Sequence, residues 1–298
     1  MTAPNGIPPR FESAAAVERS LRAVGYLPDH TIARVVHLAD RLHKPVLIEG
    51  PAGTGKTQLA KSVALMTGAP LIRLQCYEGL DEAKALYEWD YRKQLMHIQM
   101  RKGESDENAS SDLEDDVFSE RFLLTRPLLA AIRSPEPVVL LIDEVDRLDI
   151  ETEALLLEVL SDFQVSIPEL GTITARSQPL VFLTSNNSRD LSEALKRRCL
   201  YLHIDYPSLA REREIVLARV PGIAADLANQ LTQLVRSLRS LDLRKKPSIS
   251  ETLDWARTLL VLGTQHIDTE VLESTFPVLL KNQSDIELAT RELGEQTE

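Results

Sequence analysis

The run Gly50-Pro51-Ala52-Gly53-Thr54-Gly55-Lys56-Thr57 stands between the short apolar segment Val46–Ile48 and a helical pattern over residues 58–65. That order, a strand, a Gly-rich turn and a helix, leaves few folds open. Glycines let successive backbone N–H groups point at one centre without Cβ clashes, and the following helix aims its positive end there. Lys56 has the length and charge to reach β and γ phosphates, and the Thr57 hydroxyl is a natural ligand for Mg²⁺. The segment reads as a phosphate-binding loop, with residues 50–57 as the candidate nucleotide site.

Further apolar or β-branched runs at 71–74, 138–142, 180–184 and 201–204 are separated mostly by stretches long enough for a helix. This alternation predicts a parallel α/β sheet whose strands are buried on both faces. A helical pattern covers residues 12–43. After Pro207 the strand signal stops, and helices are predicted over 209–219, 224–238, 249–262 and 270–280, with breaks at Pro221-Gly222 and Lys245-Lys246-Pro247-Ser248. The expected organisation is an N-terminal tail and helix (1–30), an α/β core (31–207) with an insertion at about 77–126, and a small helical domain (208–298).

The buried strand predicted at Val138–Ile142 ends in Asp143-Glu144. Charges are costly inside such a strand but tolerated at its C-terminal tip, where open α/β sheets bind ligands. Beside the loop, Asp143 would hold Mg²⁺ through water and Glu144 would act as general base on the attacking water. Taken alone, a strand-end Asp-Glu also makes a common helix N-cap.

Composition narrows the function classes. The 298 residues include 34 Lys and Arg against 45 Asp and Glu, a net charge of −11, whereas coating nucleic acid or an anionic membrane needs a basic footprint. Seven of the acids lie in ESDENASSDLEDD at 104–116, which leaves −4 on the remainder and reads as a solvated loop. Cys76 and Cys199 are too few for a disulfide framework or a four-ligand zinc site, and no apolar stretch reaches signal-peptide or membrane-spanning length, so a cytoplasmic protein is expected. The absence of HExxH, CxxC and Gly-x-Ser-x-Gly leaves the loop and the Asp-Glu pair as the chemistry, with Mg²⁺ the only metal expected.

The strings LIEGPAGTGKT, LLIDEVDRLD, VSIPELGTITA and FLTSNNSRDLSEALKRRC resemble the AAA+ ATPases, and within them the MoxR family, over about residues 31–207 and more weakly beyond. The resemblance implies a P-loop NTPase with a five-stranded parallel sheet, a pre-sensor β-hairpin over Gln164–Arg176, helical insertions and a small all-α lid, the nucleotide lying between core and lid. It also implies ATP hydrolysis and a homo-hexameric ring.

Asn186 matches the family's sensor of the lytic water, the alternative being that Asn186 or Asn187 merely forms an Asx-turn. Arg198, with Arg197 beside it, matches an arginine that reaches the neighbouring subunit's γ-phosphate; a cation at a helix C-terminus is also favoured by the helix dipole alone. Ser250 falls where the family's lid presents an arginine, which leaves Arg244, Lys245, Lys246 or Arg257 either as substitutes or as a basic helix-end patch. In the insertion, Tyr77, Leu86, Trp89 and Tyr91 are packing residues or client contacts. The subgroup resembled is linked to maturation of molybdenum-containing carbon monoxide dehydrogenase-type enzymes beside a von Willebrand factor A domain protein. That implies a chaperone with an immature metalloenzyme client and no nucleic-acid partner. A nucleic-acid motor or restriction-type subunit, and a nucleotide-dependent scaffold that does not hydrolyse, are the readings from other classes.

Overall fold

The computed structural model describes residues 9–101 and 117–294; the acidic run 104–116 and the first eight residues of the predicted tail lie outside the described residues. The strands are β1 (Val46–Glu49), β2 (Leu71–Gln75), β3 (Tyr87–Trp89), β4 (Leu123–Thr125), β5 (Val139–Asp143), β6 (Gln164–Ile167), β7 (Gly171–Thr174), β8 (Leu180–Ser185) and β9 (Leu200–His203). Five of them make one sheet in the order β2-β5-β8-β1-β9, with parallel pairing of β2 to β5, β5 to β8 and β8 to β1. This is the P-loop NTPase arrangement. β5 and β8 are buried along their whole length, whereas the edge strands β2 and β9 are partly exposed. Burial on both faces therefore holds for the central strands and fails at the edges, where no further strand supplies cover.

The chain forms two compact units, one of residues up to Glu49 together with Thr57–Leu202, the other of Gly50–Lys56 together with the chain from His203 onward. In the first unit the helical pattern at 12–43 resolves into two helices, Ala14–Ala23 and His30–Leu42. The side chains of Ser13 and Asp29 cap their N-termini by accepting from Ala16 N and Ile32 N, and Gly25 lies between them at φ 80°. The hairpin forms as expected, β6 pairing antiparallel with β7 in the register Val165↔Ile173.

The insertion is not a separate appendage. β3 pairs with β4, Tyr87 opposite Thr125, so a short ladder joins its two ends. Leu80, Leu86, Trp89, Phe122 and Leu123 are buried in the same cluster as Leu140 and Ile142 of β5, and the Trp89 ring meets Phe118 edge-on at 5.3 Å. Leu86 and Trp89 are thus packing residues, while Tyr77 and Tyr91 are exposed. The helix Tyr91–Arg101 also exposes Leu95, Met96 and Met100.

The second unit contains the helices Leu209–Arg219, Ala225–Ser240, Ile249–Val261, Thr269–Leu279 and Gln283–Gly294. The last has no counterpart in the sequence reading. It is held by a long-range contact: buried Asp285 in its first turn accepts from Arg244 N and Lys245 N. Trp255, fully buried, donates from Nε1 to Thr275 Oγ1 at 2.8 Å.

Beside it, Arg239 forks onto buried Glu212 at 2.5 and 2.8 Å, donates from Nε to Pro247 O at 2.7 Å, and lies 4.7 Å from the Tyr206 ring centroid. Removing one partner of such a pair leaves the other charge buried and alone, so Arg239→Ala should destabilise this unit by about 3–5 kcal/mol. Arg239→Lys should recover only part of the loss, because an ammonium cannot reproduce the fork. The thermal midpoint by calorimetry checks this; an unmoved midpoint in Arg239→Ala would refute it.

Candidate active site

The loop between β1 and the helix Lys56–Thr67 is built around its glycines. Gly50 and Gly53 have φ of 149° and 73°, and a Cβ at either would collide, at Gly50 with the Ile204 carbonyl oxygen and at Gly53 with the Ser248 side chain. Side chains are therefore excluded twice, by conformation and by space. Gly55, at φ 95°, completes the turn into the helix. Thr54 Oγ1 donates to Pro51 O at 2.9 Å, and the buried Lys56 Nζ donates to Gly50 O and Pro51 O, both at 2.7 Å. Lys56 thus holds its ammonium inside the loop, while Ala52 and Gly53 are exposed at its tip.

In the first unit, Thr57 follows directly and donates from Oγ1 to Asp143 Oδ1 at 2.8 Å. Asp143, the last residue of β5 and 2% exposed, also accepts from Thr184 Oγ1 at 2.5 Å on the same oxygen. Its other oxygen, Oδ2, accepts from Arg73 Nε at 3.0 Å and from the guanidinium Nη2 at 2.5 Å. Thr184 Oγ1 in turn accepts from Glu144 N at 2.9 Å, which ties the two acids to the tip of β8. Glu144 is left-handed, with φ 60° and ψ 49°, and its half-exposed carboxylate pairs with Arg147 Nε at 2.8 Å.

A non-glycine residue at positive φ is uncommon, and here it turns the chain sharply at the end of a buried strand. Glu144 is at the N-cap position of the following short helical turn but makes no side-chain cap, so capping does not account for the acid.

Thr57 and Asp143 offer the hard oxygen donors that suit Mg²⁺. Among the described residues no group of three or more His, Cys, Asp or Glu could hold a metal by itself. Both cysteines are free thiols that burial pushes up to about 12, with Asp143, Asp146 and Glu144 adding to the effect at Cys76.

Asn186 follows β8, and its backbone N–H donates to Asp146 Oδ2 at 3.2 Å. The same oxygen accepts from Ser188 N at 2.9 Å and Ser188 Oγ at 2.6 Å. Burial pushes the Asp146 carboxyl up, but these donors outweigh it and hold the group below the usual carboxylate range. Asn187 takes φ 59° and donates from its backbone to Ser185 Oγ at 3.0 Å. Asn186 and Asn187 thus sit in a tight turn fixed by Asp146.

Arg198 donates from Nη1 to Ala194 O at 2.8 Å and from Nε to Ser161 Oγ, whereas Arg197 is exposed. Ser250 lies in the first turn of the helix Ile249–Val261, its Oγ 3.5 Å from where a Gly53 Cβ would be. Of the candidate substitutes for a lid arginine, Lys245 pairs with Glu251 and Arg257 with Asp254.

Arg73, Thr184 and Asp146 were not singled out by the sequence reading. An arginine inside a predicted buried strand was the available signal, because such a charge needs a partner.

Residues 46–206 match the family described as the ATPase family associated with various cellular activities (AAA). The chain is 29% identical over 232 residues to the gas vesicle ATPase GvpN of Ancylobacter aquaticus, which covers 74% of this chain and 61% of that protein. It is 26% identical over 223 residues to protein NorQ of Paracoccus denitrificans, covering 72% of each. Among solved structures, a Thermotoga maritima RuvB mutant superposes with a TM-score of 0.50 at 20% identity, covering 94% of this chain and 73% of that one.

Proposed function

We propose, on the premise that this chain belongs to the AAA family of ATPases and is of the MoxR type, that it hydrolyses ATP with Mg²⁺ in a ring to remodel a partner protein. The observation that carries the reading is the hydrogen-bonded line Thr57–Asp143–Thr184 at the strand tips, with Glu144 next to it and Lys56 next to Thr57. Lys56 would exchange its two carbonyl partners for the β and γ phosphates, charge-assisted acceptors that compete well against neutral ones. Residues 50, 52–55 and 57 would give backbone N–H groups to the phosphates, while Pro51, which has none, would fix the turn.

Thr57 and, through water, Asp143 would hold Mg²⁺, which when bound neutralises charge on the phosphate oxygens. Glu144 would leave Arg147 to take the proton of the attacking water, and Asn186 would orient that water. Arg198, or failing it Arg197, would serve the next subunit's γ-phosphate in a homo-hexamer. The client would be an immature metalloenzyme, molybdenum-containing by the subgroup resembled, with a von Willebrand factor A domain protein as co-chaperone in the cytoplasm. No described helix is long and apolar enough to cross a membrane.

The client reading puts the exposed apolar side chains of the helix Tyr91–Arg101 in contact with protein. Removing the whole insertion would not test this, because Leu80, Leu86, Trp89 and Phe122 belong to the core. Replacing Leu95, Met96 and Met100 by Ser alters the exposed face alone. In parallel ATPase titrations with DNA, RNA, the A-domain protein and the cofactor-deficient enzyme, protein should stimulate turnover several-fold and nucleic acid should not. The triple variant should lose the stimulation and keep basal turnover. Stimulation by nucleic acid alone would support the motor reading instead.

A further inference from the structure

The carboxylate of Asp143 is fully engaged. An ionised carboxylate offers about four acceptor positions, and here Thr57 and Thr184 occupy Oδ1 while Arg73 Nε and Nη2 occupy Oδ2. A hydrated Mg²⁺ placed against Asp143 needs one of these positions. The hydroxyl donors are neutral, and Thr57 can give an oxygen lone pair to the metal while its proton stays on Asp143. Arg73 alone brings a charge of the metal's own sign.

Its surroundings allow it to leave. Arg73 lies on the edge strand β2 with a side chain 45% exposed, while that of Asp143 is 4% exposed. The guanidinium also donates to Gln75 Oε1, two residues along the same strand, so an acceptor is already in reach when the Asp143 bond is given up.

We propose that Arg73 is a built-in counter-ion of Asp143 that competes with Mg²⁺ for Oδ2 and so sets the free Mg²⁺ concentration at which nucleotide is taken up. The inference rests on the ATP reading of the site. In the absence of metal the guanidinium neutralises a buried carboxylate that would otherwise be costly. The same ion pair makes metal entry depend on displacing a charge, and its role is one of positioning.

The test is a Mg²⁺ titration of the full chain with a fluorescent, non-hydrolysable ATP analogue, followed by fluorescence, with a parallel binding curve in EDTA. In Arg73→Met and in the hydrogen-bonding but uncharged Arg73→Gln, the half-saturating Mg²⁺ should fall about three- to tenfold. Arg73→Lys should stay near the wild-type value, and affinity in EDTA should be unchanged in all three. Arg73→Gln keeps the reading available if Arg73→Met does not fold. A midpoint that is unmoved or raised in the uncharged variants would overturn the proposal, as would a loss of affinity in EDTA, which would make Arg73 a phosphate ligand. Wild-type protein that binds no nucleotide at any Mg²⁺ concentration would overturn the ATP reading itself, whereas normal wild-type binding with an unmoved midpoint removes only the role given to Arg73.

Discussion

Glu144→Gln should bind ATP normally and turn it over at least ~100-fold more slowly, because the amide keeps the shape of the side chain but cannot accept a proton. The backbone contact that places residue 144, its N–H on Thr184 Oγ1, does not involve the side chain and survives the change. The salt bridge to Arg147 is lost, but both groups are substantially exposed, so little stability goes with it. Lys56→Ala should behave differently. It removes the one loop side chain that carries positive charge, and ATP should then fail to bind at concentrations that saturate Glu144→Gln. Binding and single-turnover measurements on the two variants separate the roles; wild-type turnover in Glu144→Gln would show that another group activates the water.

An equally large effect is expected at the subunit boundary. Arg198→Ala should bind ATP and hydrolyse it ~10³-fold more slowly or worse, as for other arginines supplied in trans to a γ-phosphate. Its contacts within its own chain, to Ala194 O and Ser161 Oγ, are at the surface, so the fold should tolerate the change. Mixing Arg198→Ala with Glu144→Gln subunits should restore part of the activity, since some interfaces then combine an intact arginine with an intact base. Full activity in Arg198→Ala, with no gain on mixing subunits that co-assemble, would move the role to Arg197.

Several parts of this molecule were legible one residue after another. The turn at 50–57 could be read because its glycines are demanded locally, and Gly53 and Gly55 do take positive φ. β5 could be read because a run such as Val139–Ile142 is apolar enough to be buried whichever partners it finds. The hairpin implied over 164–176 also has a local basis, since Val165, Ile167 and Ile173 nearly alternate about the short turn at Glu169-Leu170-Gly171. Each of these is signalled by residues close together in the chain.

Other features depended on which strands became neighbours. Parallel strands are joined by long crossovers, so residues that meet across the sheet are far apart in sequence and carry no shared local pattern. Arg73 reaches Asp143 only because β2 pairs with β5, Gln75 opposite Asp143, and Thr184 reaches it only because β8 lies on the other side of β5. The packing of the insertion onto the core had no local signal for the same reason, since the β3–β4 ladder and the burial of Trp89 and Phe122 join residues more than 30 positions apart. Helix 283–294 was passed over because its anchor, Asp285, caps backbone groups 40 residues earlier. The sequence by itself determined the loop, the apolar strands and the residue types that face a nucleotide, because short-range conformational limits and hydrophobic period are written locally. The tertiary structure alone decided which charges offset one another around Asp143, because that is set by strand order and register, and no local pattern encodes either.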